Sequence, residues 1–281
     1  MNLSLSSRIA ESFLSKKAAS MQLEQLADMA IAAGYDSLCM RASQVGVHST
    51  PDQITRAAQL LQTRDLGVSM ISGDFDVVYN NDRGPNSLRD IRPYLDLAEQ
   101  LGASLLRVCI KSEEDITQAQ QAADQAAARG LRLAHQCHVQ SRFETVDEIV
   151  ATLQQVDRPN FGLIFEAANL EECRQDYGPN TIRQLAPWIF NVYLQNQKIH
   201  RGGSVTIDTW SHGPISFDVI PIPEAGGIDF DRVFQGLHEI GYDGPVTAHQ
   251  SAPEDGKTTP LTAAKDTAEF LRKGLSIHSI R

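Results

Sequence analysis

The chain has few cysteines, no surplus of positive charge and no long apolar run, and each shortage removes a class of protein. Its four cysteines, Cys39, Cys109, Cys137 and Cys173, form no Cys-x-x-Cys pair, so neither a disulfide framework nor a zinc knuckle is expected. Three of them sit in apolar segments and read as small core residues. Lys and Arg together number 25 against 35 Asp and Glu, a formal charge of −10. Such an acidic chain does not invite a nucleic-acid backbone or an anionic membrane, although a local basic patch stays open. No segment approaches the roughly 20 apolar residues that span a bilayer. The start, Met1-Asn2-Leu3-Ser4-Leu5-Ser6, lacks the basic-then-apolar order of a secretory leader. The expectation is a soluble, cytoplasmic protein that acts on small molecules. Charge blocks are also missing, and 42% hydrophobic residues against 21% charged ones argue for a packed core. No G-x-G-x-x-G follows the first apolar run, which weakens a dinucleotide-binding sheet.

What is present is a rhythm. Short Val-, Ile- and Leu-rich runs near 2–6, 36–41, 67–72, 104–109, 131–136, 161–166, 189–195 and 245–250 read as eight strands. Segments with helical spacing lie near 20–33, 51–65, 86–101, 113–129, 144–156, 179–187, 229–240 and 261–274. Gly34, Gly102, Gly130 and Gly241 stand at helix-to-strand junctions, as left-handed caps do. Thr50-Pro51-Asp52-Gln53 reads as a cap followed by proline at the first helical position. Strands that alternate with helices, with no hairpin signal between them, must run parallel. Eight such units predict a single (β/α)8 TIM barrel, one domain over residues 1–281. The stretch from Lys198 to Gly227, with Pro221 and Pro223, is too long for an ordinary connection and belongs at the catalytic face.

Barrel chemistry sits at the C-terminal ends of strands, where alternate residues point inward. Arg107 ends the fourth strand, Gln136 the fifth with His138 beyond it, and Glu166 the sixth with Asn169 beyond it. Gln195 ends the seventh strand and His249 the eighth. His135 has the opposite phase and reads as packing. Arg41, His48 and Asp74 follow the second and third strands and read as solvated loop residues at the rim. Trp210-Ser211-His212, in the long excursion, either closes over a sugar face or stays an exposed loop.

The order of units resembles the xylose isomerase-like barrels, which include sugar phosphate isomerases and sugar epimerases. Local patterns carry the resemblance along the chain: Ala32-Ala33-Gly34-Tyr35-Asp36, Asn160-Phe161-Gly162-Leu163, Glu224-Ala225-Gly226-Gly227-Ile228-Asp229-Phe230 and Gly241-Tyr242-Asp243-Gly244. It implies one divalent metal held by Glu, Asp, His and Glu at the ends of strands five to eight, with the two glutamates relaying protons. The matched positions here hold Gln136, Glu166, Gln195 and His249, so both relaying glutamates are replaced. One carboxylate, one imidazole and two amide oxygens can still coordinate a divalent ion (Mn, Mg, Zn or Co are not distinguished), and the alternative is a polar cluster holding water or a sugar hydroxyl.

The resemblance therefore implies a sugar or sugar phosphate isomerase or epimerase acting on a small keto-sugar or polyol, with the metal polarising oxygens. Glu166 and His249 are the expected proton-transferring residues, and His138, Arg107 and Asn169 the expected substrate contacts. For Arg107 an internal ion pair with Glu166 is the other reading. Elimination from a keto-sugar, which needs one base only, is the rival reaction, and a non-catalytic sugar-binding barrel is the rival class. The apurinic endonuclease relatives use a histidine- and carboxylate-rich metal cluster and a basic surface, which this chain lacks. A homo-oligomer stays open.

Overall fold

The computed structural model describes residues 2–12 and 15–278; the remaining positions of the predicted 1–281 span lie outside the described residues. Seven strands come first: β1 (Asn2–Ser6), β2 (Ser37–Arg41), β3 (Gly67–Ser72), β4 (Leu105–Arg107), β5 (Arg132–Gln136), β6 (Phe161–Glu166) and β7 (Ile189–Leu194). Three further strands follow, β8 (Gln197–Ile199), β9 (Val205–Thr209) and β10 (Gly213–Val219), before β11 (Pro245–Ala248). β11 pairs in parallel with both β7 and β1, so β1 to β7 and β11 close into an eight-stranded barrel. The predicted (β/α)8 barrel is the fold.

Local chemistry explains the elements. The Thr50 hydroxyl accepts the Gln53 N–H at 3.3 Å while the Gln53 side chain accepts the Thr50 N–H at 2.8 Å, a reciprocal cap that starts the helix Pro51–Thr63. Gly34 and Gly102 take φ of +80° and +70° and end the helices Leu23–Ala33 and Arg92–Leu101, a conformation that costs other residues a Cβ clash. Leu26, Ala27 and Ala30 put one helical stripe against the barrel wall, where all three are fully buried. Outward residues of the strands, such as Leu38, Leu106, Leu133, Leu163 and Val192, meet these stripes in the main core.

Two expectations are corrected. The single helix expected over 86–101 is two, Asn86–Arg89 and Arg92–Leu101, because Pro93 has no N–H to offer and is tolerated only in a first helical turn. The excursion at 198–227, read as irregular, holds an antiparallel sheet in the order β8-β10-β9. Its alternation (Val205, Ile207 against Thr206, Asp208) was a strand signal. This sheet lies outside the barrel and leaves the parallel core intact.

Candidate active site

Inward residues stack in two layers. Cys39, Met70, Leu105, Ala134, Ile164 and Tyr193 form a dry cluster inside the barrel. Two residues further along, on the same face of β2, β4, β5, β6 and β7, come Arg41, Arg107, Gln136, Glu166 and Gln195, and His249 follows β11. The polar layer thus rests on an apolar floor. It lines a cavity of about 110 Å³ that also touches His138 and Asn169, and Ile207 and Phe217 of the three-stranded sheet close over it. All seven candidate residues therefore reach one cavity.

Glu166 is 1% exposed. The side-chain amides of Gln136 and Asn169 both donate to its Oε2, and Oε1 carries no hydrogen bond from the described residues. Burial raises its proton affinity above that of an ordinary glutamate, while the two amides and nearby Arg107 and Arg8 pull the other way. His249 stacks on Tyr193 with ring centroids 3.7 Å apart. Its Nδ1 lies 3.0 Å from Ser6 Oγ and its Nε2 lies 3.5 Å from Arg41 Nη1, a donor, which puts the ring proton on Nδ1. Burial, then Arg41, Arg8 and Arg107, hold His249 neutral well below the usual histidine range. His138 Nδ1 lies 2.9 Å from the Val139 carbonyl, an acceptor only, so its Nε2 offers a lone pair. It too is held neutral, chiefly by burial. Gln195 bonds only weakly, through Nε2 to Gln197 at 3.4 Å.

Several site residues were missed or misread. Arg41, expected at a solvated rim, is 1% exposed and points into the cavity, with Nε donating to both oxygens of buried Glu11 at 3.0 Å. Arg8 lies just past β1 and also approaches Glu11, at 3.7 Å; Lys16 and buried Glu172 complete the lining. Arginines just past or at the ends of three barrel strands were a readable signal; Glu172 had none, since it depends on how the helix Ala167–Glu172 turns back over the mouth. Burial, with Glu166 nearby, pushes Glu172 far toward its protonated form. The alternative ion pair of Arg107 with Glu166 does not form, because no carboxylate among the described residues lies within 4.0 Å of its guanidinium. His135 packs outward, stacked on Phe143 at 4.1 Å. Asp74 caps the helix Phe75–Tyr79 and accepts from Tyr94, and His48 is exposed beside Phe75. Trp210-Ser211-His212 is an exposed hairpin tip that stays off the cavity.

A divalent metal does not fit this donor set. Glu166 is the one carboxylate at the four matched positions, and one of its oxygens already holds two N–H donors. The Nε2 lone pair of His249 faces a guanidinium. Arg8, Arg41 and Arg107 line the same cavity, so an added dication would meet like charge. Among the described residues no group of three His, Cys, Asp or Glu is placed to hold an ion.

No helix among the described residues is long and apolar enough to cross a membrane. One curated relative, inosose dehydratase of Geobacillus thermodenitrificans (strain NG80-2), is 25% identical over 151 residues, covering 53% of this chain and 50% of that one. The match spans about half the length of that relative. D-psicose 3-epimerase of Clostridium cellulolyticum H10, solved with D-tagatose, has a TM-score of 0.73 at 14% identity, covering 98% of this chain and 99% of that one. A xylose isomerase-like TIM barrel protein of Mycobacterium smegmatis, in complex with magnesium, gives 0.71 at 16% identity, covering 99% and 97%. These structural likenesses establish the fold, and the relatives named include an epimerase and a dehydratase. The sequence model of xylose isomerase-like TIM barrels matches residues 27–274. With the closed barrel and that match over most of its length, the chain belongs to the xylose isomerase-like TIM barrel family.

Proposed function

We propose that this barrel is an isomerase that removes a proton from the carbon beside the carbonyl of a small keto-sugar or polyol-derived substrate, with Glu166 as the base. The observation that carries this reading is the state of Glu166: desolvated, rotationally held through Oε2, and left with Oε1 for a ligand. A carboxylate deprived of water accepts a proton more readily than one in solution. Negative charge that develops on the carbonyl oxygen would do so among guanidiniums, which stabilise it without rearrangement. Gln136 cannot titrate, so it orients Glu166 and does not share a relay. A single base that takes a proton from one carbon returns it most directly to the adjacent carbon on the same face. That favours a 1,2-shift over inversion at one carbon, which needs a donor on the opposite side. The shift also moves the hydroxyl proton to the former carbonyl oxygen, and the His138 Nε2 lone pair is available to take it from the one oxygen and return it to the other. His249, with its lone pair turned to Arg41, supports that guanidinium more than it moves protons.

Dehydration is a second reading, favoured by Glu172. A buried carboxyl group held in its protonated form can hand a proton to a departing hydroxyl, so that water leaves as Glu166 takes the carbon-bound proton. The inosose dehydratase match supports it. The test is incubation with small aldoses, ketoses, sugar acids and sugar phosphates in D2O, read by mass and NMR. Isomerisation gives a rearranged product of the same composition, with solvent deuterium at the carbon beside the carbonyl to the extent that the proton on Glu166 exchanges during the transfer; dehydration gives a product lighter by one water. Deuterium uptake or turnover that is unchanged in Glu166→Gln would overturn both.

A further inference from the structure

We propose that the substrate carries an oxyanion, a carboxylate or phosphate group, and that Arg107 grips it with the charge of Arg8 beside it, in the cavity where the family resemblance implies a metal. The inference rests on the reading of the cavity as a substrate site, and it names the substrate class. Arg107 is 2% exposed, lines the cavity, and its Nε and Nη2 have no partner among the described residues. A guanidinium does not give up its proton to escape burial, so the charge stays and waits for a counter-ion. Nε and Nη2 share one edge of the guanidinium, the edge that meets two oxygens of one carboxylate or phosphate in parallel.

The neighbouring cations sharpen the assignment. Arg41 is already satisfied, since Glu11 takes both contacts of its Nε. Arg107 has no such carboxylate. Its neighbours in the lining are neutral amides (Gln136, Asn169, Gln195), neutral histidines, and the two glutamates that the proposed chemistry uses. A chain with a net charge of −10 thus places three guanidiniums around one cavity, which selects for a small anion and against an added cation. The volume of about 110 Å³ suits a small sugar acid or short sugar phosphate.

The test is calorimetric titration of the full chain with D-glycerate and, separately, with inorganic phosphate, at low ionic strength in EDTA. Binding of either probe at one site per chain is expected, and whichever binds identifies the group. Arg107→Gln should weaken it at least tenfold, and Arg107→Lys, which keeps the charge and loses the fork, should fall between. Removing an unpaired buried charge should also leave the thermal midpoint of Arg107→Gln unchanged or raised without anion, and abolish the rise that the anion causes in the parent. Absence of binding by both probes, or equal binding by Arg107→Gln, overturns the proposal. Stoichiometric Mn2+ binding at 0.1 mM in a chelator-free titration, read by loss of the free-ion electron spin resonance signal, overturns the replacement of metal by arginine. Anion binding with neither an isomerised product nor deuterium exchange would sink the isomerase reading alone, and turnover of neutral sugars only would sink this one alone.

Discussion

Two glutamates, buried to a similar degree, do opposite work because of what touches them. Glu11 is a counter-ion: it accepts from Arg41 Nε with both oxygens, from Ser43 Oγ at 2.5 Å, and lies 3.7 Å from Arg8. Glu11→Gln leaves two buried guanidiniums without their carboxylate. Removing one partner of a buried pair typically costs about 3–5 kcal/mol, so urea midpoints should fall accordingly. Glu166 accepts only from amides and keeps an oxygen for chemistry. Glu166→Gln is isosteric and should fold normally, while turnover drops by about 10²–10⁴ as for loss of a general base. The parent's rate should rise with pH through an acid limb that lies above the ordinary glutamate range, because burial favours the protonated, inactive form. That limb should vanish in the variant. At this scale the sequence was informative wherever side-chain phase was enough: Gln136, Glu166, Gln195 and His249 share the inward phase of their strands. The strand-end position of Arg41 was readable, but its burial was not, because that depends on Glu11 thirty residues away.

Specific polar contacts tie together the elements around the mouth. The hairpin of β9 and β10 is tied to the loop after β5 by buried Glu144, which accepts the Trp210 and Ser211 N–H groups at 2.8 Å each and the Gln140 N–H at 2.5 Å. Lys111 Nζ lies 5.8 Å from the centre of the Trp210 ring and adds a cation–π contact. The tip residues are exposed, so their work is to anchor the sheet whose Ile207 and Phe217 cover the cavity. Glu144→Gln replaces two accepting oxygens by one and inserts an amide donor against N–H groups. With charge-assisted bonds worth about 1.5–3 kcal/mol each, amide exchange at Trp210 and Ser211 should quicken at least tenfold. Substrate KM should rise more than kcat falls, since the covering sheet opens and the base is untouched. Unchanged exchange at both amides would contradict the anchoring role.

Across the whole molecule, buried His135 and His249 and half-buried His138 make stability depend on pH. His135 is held down to about 3 by burial, and His138 and His249 are also lowered, so the folded chain binds fewer protons than the unfolded one below pH ~6.5. A depressed base contributes stability that is fully present above its unfolded value and is lost as pH falls from there toward the folded value. Each such histidine costs about 1.4 kcal/mol per pH unit in that window. Glu166 and Glu172 are raised, take up protons in the folded state first, and offset part of that loss. His135 isolates the effect because it lies outside the cavity, stacked on Phe143. His135→Phe should therefore lose about 2 kcal/mol less than the parent between pH 8 and pH 5, read from urea curves at both pH values. Equal losses would mean that His135 is not buried neutral.

The sequence alone determined the barrel, because the periods that carry it are local: an inward–outward alternation of two along each strand, a stripe of 3.6 along each helix, and glycine or Thr–Pro punctuation between them. The same locality placed one polar residue at the mouth from each of five barrel strands. Tertiary structure alone decided which charges are paired. Arg41 and Arg107 have equal phase and near-equal burial, yet Glu11 pairs with the first and no carboxylate among the described residues pairs with the second. Pairing depends on which strands and turns become neighbours when the barrel closes, and at a range of a few ångströms that neighbourhood is a property of the closed ring, not of any one segment.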